Sequence, residues 1–211
     1  MAFREFSGRQ QGVSNRVAQD WASYYAKTGA RPPRETLLFA LRQFGKAAPG
    51  VAVDLGCGNG RDTIELLRRG WRVLAVDAEP AAIEGMATRP DLPADAQLAT
   101  KVARFEDVDL PPADLINSSF ALPLCPPEKF RVMWDRIRAA LRPGGRLSCQ
   151  LYGPRDGWAG DPTITHLSRN EVEALLTGFK VEHFREEEDD STTPRGTPKH
   201  WHIFHIVARK S

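Results

Sequence analysis

The chain has 211 residues, with 29 Lys and Arg against 27 Asp and Glu, 41% hydrophobic residues, 17 Gly, 16 Pro and 3 Cys. At about 150 residues per domain, this length suits one domain with at most a small appendage. A formal charge of +2, with both signs dispersed, lacks the basic footprint that neutralises a phosphate backbone, so no nucleic-acid partner is expected. Cys57, Cys125 and Cys149 are odd in number and far apart, which argues against a disulfide framework or a metal site and suits a reducing compartment. Met1-Ala2-Phe3-Arg4-Glu5-Phe6-Ser7 contains no apolar h-region, and no stretch reaches the ~18 apolar residues of a membrane span. The expectation is a cytoplasmic protein with no membrane association.

The first fifty residues read as helical, holding Trp21, Tyr24, Tyr25, Leu37, Leu38, Leu41 and Phe44 and ending at Pro49-Gly50. Short apolar runs then alternate with amphipathic stretches. A strand at 51–55 precedes a helix at 62–69, and a strand at 73–76 precedes a helix opening at Pro80. Strands at 98–104 and 114–118 follow, then a helix at 127–141 stopped by an Arg142-Pro143-Gly144-Gly145 turn, then a strand at 146–152. Ser168 with Glu171 three residues on forms a capping box for a helix at 168–177. The last runs, 180–184 and 201–208, have no helix between them, so they should pair antiparallel; the acidic 186–190 should form a solvated loop at their tip. Uninterrupted β-branched runs suit strands covered on both faces. The expected fold is α/β, a Rossmann-like seven-stranded, mostly parallel sheet with helices on both faces and an antiparallel last strand.

The most informative stretch is Asp54-Leu55-Gly56-Cys57-Gly58-Asn59-Gly60-Arg61-Asp62, between the first strand and its following helix. Alternate glycines let the backbone approach a ligand closely, and this crevice is where open α/β sheets bind cofactors. The spacing is neither G-x-G-x-x-G, whose third glycine would fall on Arg61, nor a phosphate loop, since no Lys-Ser or Lys-Thr follows. Asp54 and Asp62 would repel a pyrophosphate but attract a ligand carrying ammonium and sulfonium centres. S-adenosylmethionine (SAM) therefore fits better than NAD. Asp77, 21 residues beyond Gly56, can accept from both hydroxyls of a ribose, a feature that serves either cofactor.

The Asp54-x-Gly56-x-Gly58-x-Gly60 stretch, Asp77 and Pro143-Gly144-Gly145 together resemble class I SAM-dependent methyltransferases. Asp54 to Arg61 and the compact size resemble the tellurite-resistance and thiopurine branch, whose members methylate small soft nucleophiles. The resemblance implies strand order 3-2-1-4-5-7-6, an N-terminal helical lid over residues 1–34 and a methyltransferase domain over 35–211. It implies a cofactor site of Asp54, Gly56, Cys57, Gly58, Gly60, Arg61, Asp77, Ala78, Phe105, Glu106 and Asn117. Asp54 would lie under the ammonium group, Asp77 at the ribose and Ala78 beside the adenine. Where many members have an acidic residue this chain has Arg104, which leaves open whether Glu106 or Asp107 reaches the adenine amine.

Methyl transfer from a sulfonium needs chiefly alignment of the nucleophile and exclusion of water, so no obligatory general base marks the sequence. The partner is a small-molecule methyl acceptor, whether thiol, oxyanion, amine or hydroxyl. Candidates for its pocket are Tyr25, Asn117, Ser118, Phe120, His166, His200 and His202. Trp21, Tyr24 and Tyr25 serve equally as a lid face or as an ordinary apolar stripe. His200 and His202 share a strand face and His205 opposes them; two ligands do not make a zinc site. The alternatives are an NAD-linked oxidoreductase and a SAM-binding module without catalysis.

Overall fold

The computed structural model describes Thr28 and residues 31–211; Trp21, Tyr24 and Tyr25 lie outside the described residues. Helix α1 (Glu35–Gln43) leads into β1 (Val51–Leu55), α2 (Arg61–Arg68), β2 (Arg72–Asp77), α3 (Pro80–Ala87) and β3 (Leu98–Val102). Then come β4 (Ala113–Ser118), α4 (Pro127–Ala140), β5 (Leu141–Tyr152), α5 (Arg169–Leu175), β6 (Phe179–Thr192) and β7 (Pro198–Lys210). The sheet order is β3-β2-β1-β4-β5-β7-β6, with β7 antiparallel to both neighbours and the other pairings parallel. The expected architecture and the antiparallel closing strand are both present.

Alternation along β1 sends Val53 and Leu55 to one face and Ala52 to the other. On the first face, Phe130, Met133, Trp134 and Ile137 of α4 and Val172 and Leu175 of α5 cover Ile116, Leu147 and Phe204. On the second, Leu37 and Ala40 of α1, Ile64, Leu66 and Leu67 of α2 and Met86 of α3 cover Val73, Ala75 and Leu115. Both layers exclude water, which is why the strands read as continuous apolar runs. The capping box at α5 is formed, with Glu171 N–H donating to Ser168 Oγ and Ser168 N–H donating to Glu171.

Two local expectations are corrected. The Pro143-Gly144-Gly145 segment is not a turn closing α4: Leu141 is already extended, and β5 takes up the segment as an irregularity between the Ala113 and Leu115 pairings. Nor is the acidic 186–190 stretch a tip loop. It lies inside β6, where Glu186, Glu188 and Asp190 pair across to Phe204, His202 and His200 in register. Their charges are met there by Arg155 and Arg169 and by hydrogen bonds with His200 and His202. Cross-strand neutralisation makes a like-charge run compatible with a strand.

Behind β7, Gly153 carries no side chain for a steric reason. A Cβ there would stand 2.2–2.5 Å from three atoms of the His202 ring. That ring is 1% exposed; Nδ1 accepts from Arg155 N–H at 3.2 Å, so Nε2 carries the proton and donates to Glu186 at 2.9 Å. Gly153→Ala is expected to destabilise the fold by about 3 kcal/mol, through overpacking and loss of these bonds. Urea unfolding measures it, and a loss below about 1 kcal/mol would mean the ring moves aside freely.

Candidate cofactor and acceptor site

At the carboxyl ends of β1, β2 and β4 a cavity of about 240 Å³ opens. Asp54, Gly56, Cys57, Gly58, Arg61, Asp77, Ala78, Phe105, Glu106 and Phe120 line it, as do Arg34, Asn59, Asp62, Ala103, Arg104, Ser119, Ala121 and Leu124. The backbone of the turn explains the glycines: φ is +69°, +53° and +86° at Gly56, Gly58 and Gly60, a region that favours glycine. A Cβ at Gly56 would stand 2.2 Å from that of Ala121, and one at Gly60 2.5 Å from Met86 Cγ.

The amides of this turn are not free for a phosphate. Gly56 and Cys57 N–H donate to the Val76 carbonyl at 2.8 and 3.0 Å, Gly60 N–H to the Cys57 carbonyl at 3.0 Å, and Gly58 N–H to Asp77 Oδ2 at 2.8 Å. Phosphate loops work by leaving such groups pointed at the anion. The glycines instead shape the wall and let the chain pass close to Ala121.

The walls are acidic. Asp54, Asp62 and Asp77 are 2%, 4% and 8% exposed. Thr63 Oγ1 donates to Asp54 at 2.6 Å, Ser119 Oγ and the Arg34 backbone N–H donate to Asp62 at 2.6 and 2.9 Å, and Asn117 Nδ2 donates to Asp54 at 2.9 Å and to Asp62 at 3.1 Å. Among the described residues, no ion pair reaches any of these three carboxylates. Burial, and then the neighbouring Asp62 charge, push the Asp54 carboxyl up to about 7 despite the bonds from Thr63 and Asn117. Asp77 is raised as well, chiefly by burial. Burial and the charges of Asp54 and Asp77 push the Cys57 thiol up, so it remains a neutral thiol.

A carboxyl that ionises near 7 when folded and near 4 when unfolded holds a proton that the unfolded chain has already lost at intermediate pH. Its ionisation therefore costs stability progressively as pH rises between those values. The protein without ligand is expected to lose about 2 kcal/mol more between pH 5.5 and 7.5 than an Asp54→Asn variant. Urea unfolding at both pH values checks this, and equal slopes would count against a strained acidic pair.

Other expected site residues are placed differently. Gly60 does not line the cavity, its missing Cβ facing Met86, and Asn117 does not either but bridges the two carboxylates from behind, while Ser118 Oγ donates to the Leu55 carbonyl at 3.0 Å. His166, His200 and His202 do not line it either. They sit around a separate group in which Lys199 Nζ meets Asp156 at 2.6 Å and stands 3.4 Å above the Trp201 ring and 4.1 Å above that of Trp158. Period-two spacing on β7 located the histidines on one face, but the depth of that face was set by β6. Arg34 and Leu124 were not singled out from the sequence, and no local motif marks either.

Residues 52–145 match the family model described as a methyltransferase domain. Over that stretch the chain resembles methyltransferase domains. A malonyl-[acyl-carrier protein] O-methyltransferase from Xylella fastidiosa is 30% identical over 143 residues, covering 64% of this chain and 48% of that protein. The chain thus spans about half the length of this relative. Among solved structures, TehB from Haemophilus influenzae superposes with a TM-score of 0.72 at 16% identity, covering 91% of this chain and 68% of that one. A Burkholderia thailandensis 1,6-didemethyltoxoflavin-N1-methyltransferase, solved with its substrate and S-adenosylhomocysteine (SAH), gives 0.62 at 23% identity over 84% and 77%. The residues present fit SAM: the glycine amides of the turn are bonded within the protein, the Gly56 wall has no room for a Cβ, and among the described residues the three carboxylates carry no ion pair.

Proposed function

We propose that the chain transfers a methyl group from SAM to a small-molecule nucleophile by in-line displacement. The observation that carries this is the set of three buried carboxylates around a turn with inward-bonded amides. Such a wall rejects a pyrophosphate and gains stability from a cation. Asp54 and Asp62 would take the ammonium end, Gly56, Cys57 and Gly58 the methionine chain, and Asp77 the ribose diol. Ala78, Phe105 and Glu106 would flank the adenine, with Arg61 at the rim of the cavity. When bound, SAM supplies an activated methyl on a sulfonium. Phe120, Ser119 and Leu124 shape the neighbouring wall and exclude water from the acceptor. Within the class, the Asp54–Arg61 turn supports a place near the tellurite-resistance and thiopurine branch.

Isothermal titration with SAH and with NAD tests the cofactor: SAH is expected to bind and NAD not, and the reverse ends this reading. Turnover of labelled SAM against thiols, chalcogen oxyanions, carboxylic acids and amines tests the transfer. SAH released with at least one acceptor is the expected result; none with any of them would leave a binding module.

A further inference from the structure

We infer that Arg34 recognises a negatively charged methyl acceptor, binding a carboxylate or comparable oxyanion of that substrate; the inference rests on the methyl transfer proposed above. Arg34 directly precedes α1, is half-buried and lines the cavity. Its guanidinium carbon lies 4.3 Å from the centroid of the Phe120 ring. No hydrogen bond or ion pair reaches that guanidinium among the described residues. The two other arginines of the wall are engaged, Arg61 Nε with the Pro32 carbonyl at 2.5 Å and Arg104 with Glu106 at 3.0 Å. A stacked guanidinium is held by its face and keeps its in-plane donors for a planar or tetrahedral oxyanion.

The mounting is built from both sides. Phe120 is the one non-glycine residue at positive φ among those described, at +57°. Its N–H donates to Gln150 Oε1 at 3.1 Å, and Gln150 Nε2 donates to Thr36 Oγ1 at 2.7 Å. One buried amide thus holds the ring in its unusual backbone position and ties it to the helix that Arg34 opens. Arg34 N–H is fixed on Asp62. Phe120 is thus held in a left-handed backbone position beneath a guanidinium that, among the described residues, meets no hydrogen-bond acceptor.

The location separates this cation from the rest of the crevice. On the proposed placement Asp54, Asp62 and Asp77 would take the positively charged and ribose parts of the donor, so Phe120, Leu124 and the Arg34 guanidinium remain among the lining residues for the second substrate. The adjacent Asp62 repels an anion until the donor's ammonium screens it, so anion affinity should rise once the donor is bound.

The test uses the full-length protein saturated with SAH. Ligand-observed NMR titrations compare acetate with acetamide and benzoate with benzamide, pairs of matched shape and different charge, with tellurite as a third anion. Wild type is expected to bind at least one anion about tenfold more tightly than its neutral counterpart or, for tellurite, than chloride. Arg34→Met should abolish that preference and Arg34→Lys retain part of it, while the SAH dissociation constant changes by less than about threefold. No anion preference in wild type, or a preference surviving in Arg34→Met, overturns the inference. So does a loss of SAH affinity as large as the loss of anion affinity, since the guanidinium would then serve the donor's own carboxylate. If SAH does not bind wild type at all, the methyl-transfer reading has failed first.

Discussion

Asp77→Ala is expected to weaken SAH binding by about 2–4 kcal/mol, roughly 30- to 1,000-fold, as read by isothermal titration. The size of the effect comes from two roles meeting in one carboxylate. Asp77 ends β2 at the crevice, where two ligand hydroxyls can donate to it. In the protein alone, Oδ2 already accepts Gly58 N–H at 2.8 Å and Oδ1 accepts Glu79 N–H at 2.9 Å. Removing it therefore loosens the glycine turn as well as the ligand contact, so a loss of about 1–2 kcal/mol in folding stability should accompany the larger loss in binding. Asp77→Asn separates the roles, because a side-chain carbonyl can still accept one of the two amides while the charge is gone. Its fold stability should fall less than its affinity. An unchanged dissociation constant in both variants would remove Asp77 from the site.

The parts legible in the sequence were those specified locally. Buried parallel strands announce themselves because both faces are apolar, and the turn between β1 and α2 announces itself because left-handed backbone at Gly56, Gly58 and Gly60 excludes most other residues. The capping box at Ser168 is equally local. What was missed depends on contacts between distant segments. The acidic part of β6 looks like a loop until β7 brings His200 and His202 against it. Arg34 is an ordinary surface arginine in the sequence, and only its seat on Phe120 gives it meaning. The turn amides were the subtler lesson: alternate glycines suggest N–H groups aimed at a ligand, whereas Val76 and Asp77 had already claimed most of them.

Asn117→Asp is expected to cost about 3–5 kcal/mol of folding stability at pH 7.5 and much less at pH 5. Parallel pairing of β1 with β4 sets Asn117 beside Asp54, and its amide is the donor shared between Asp54 at 2.9 Å and Asp62 at 3.1 Å. The side chain is completely buried, so no solvent can replace the lost donor. An aspartate in the same place removes both hydrogen bonds and adds a third negative charge to a pair in which Asp54 already ionises only at about 7. Such a cluster keeps one or more protons, and its folded-state affinity for them exceeds that of the unfolded chain. The penalty therefore grows as pH rises from about 4 and shrinks as pH falls. Asn117→Ala, which deletes the donor without adding charge, should lose less and show a shallower pH dependence. Urea unfolding of the two variants at pH 5 and 7.5 decides the matter: equal losses at both pH values would mean that Asn117 matters for packing between β1 and β4 rather than for holding two carboxylates ready for a cation.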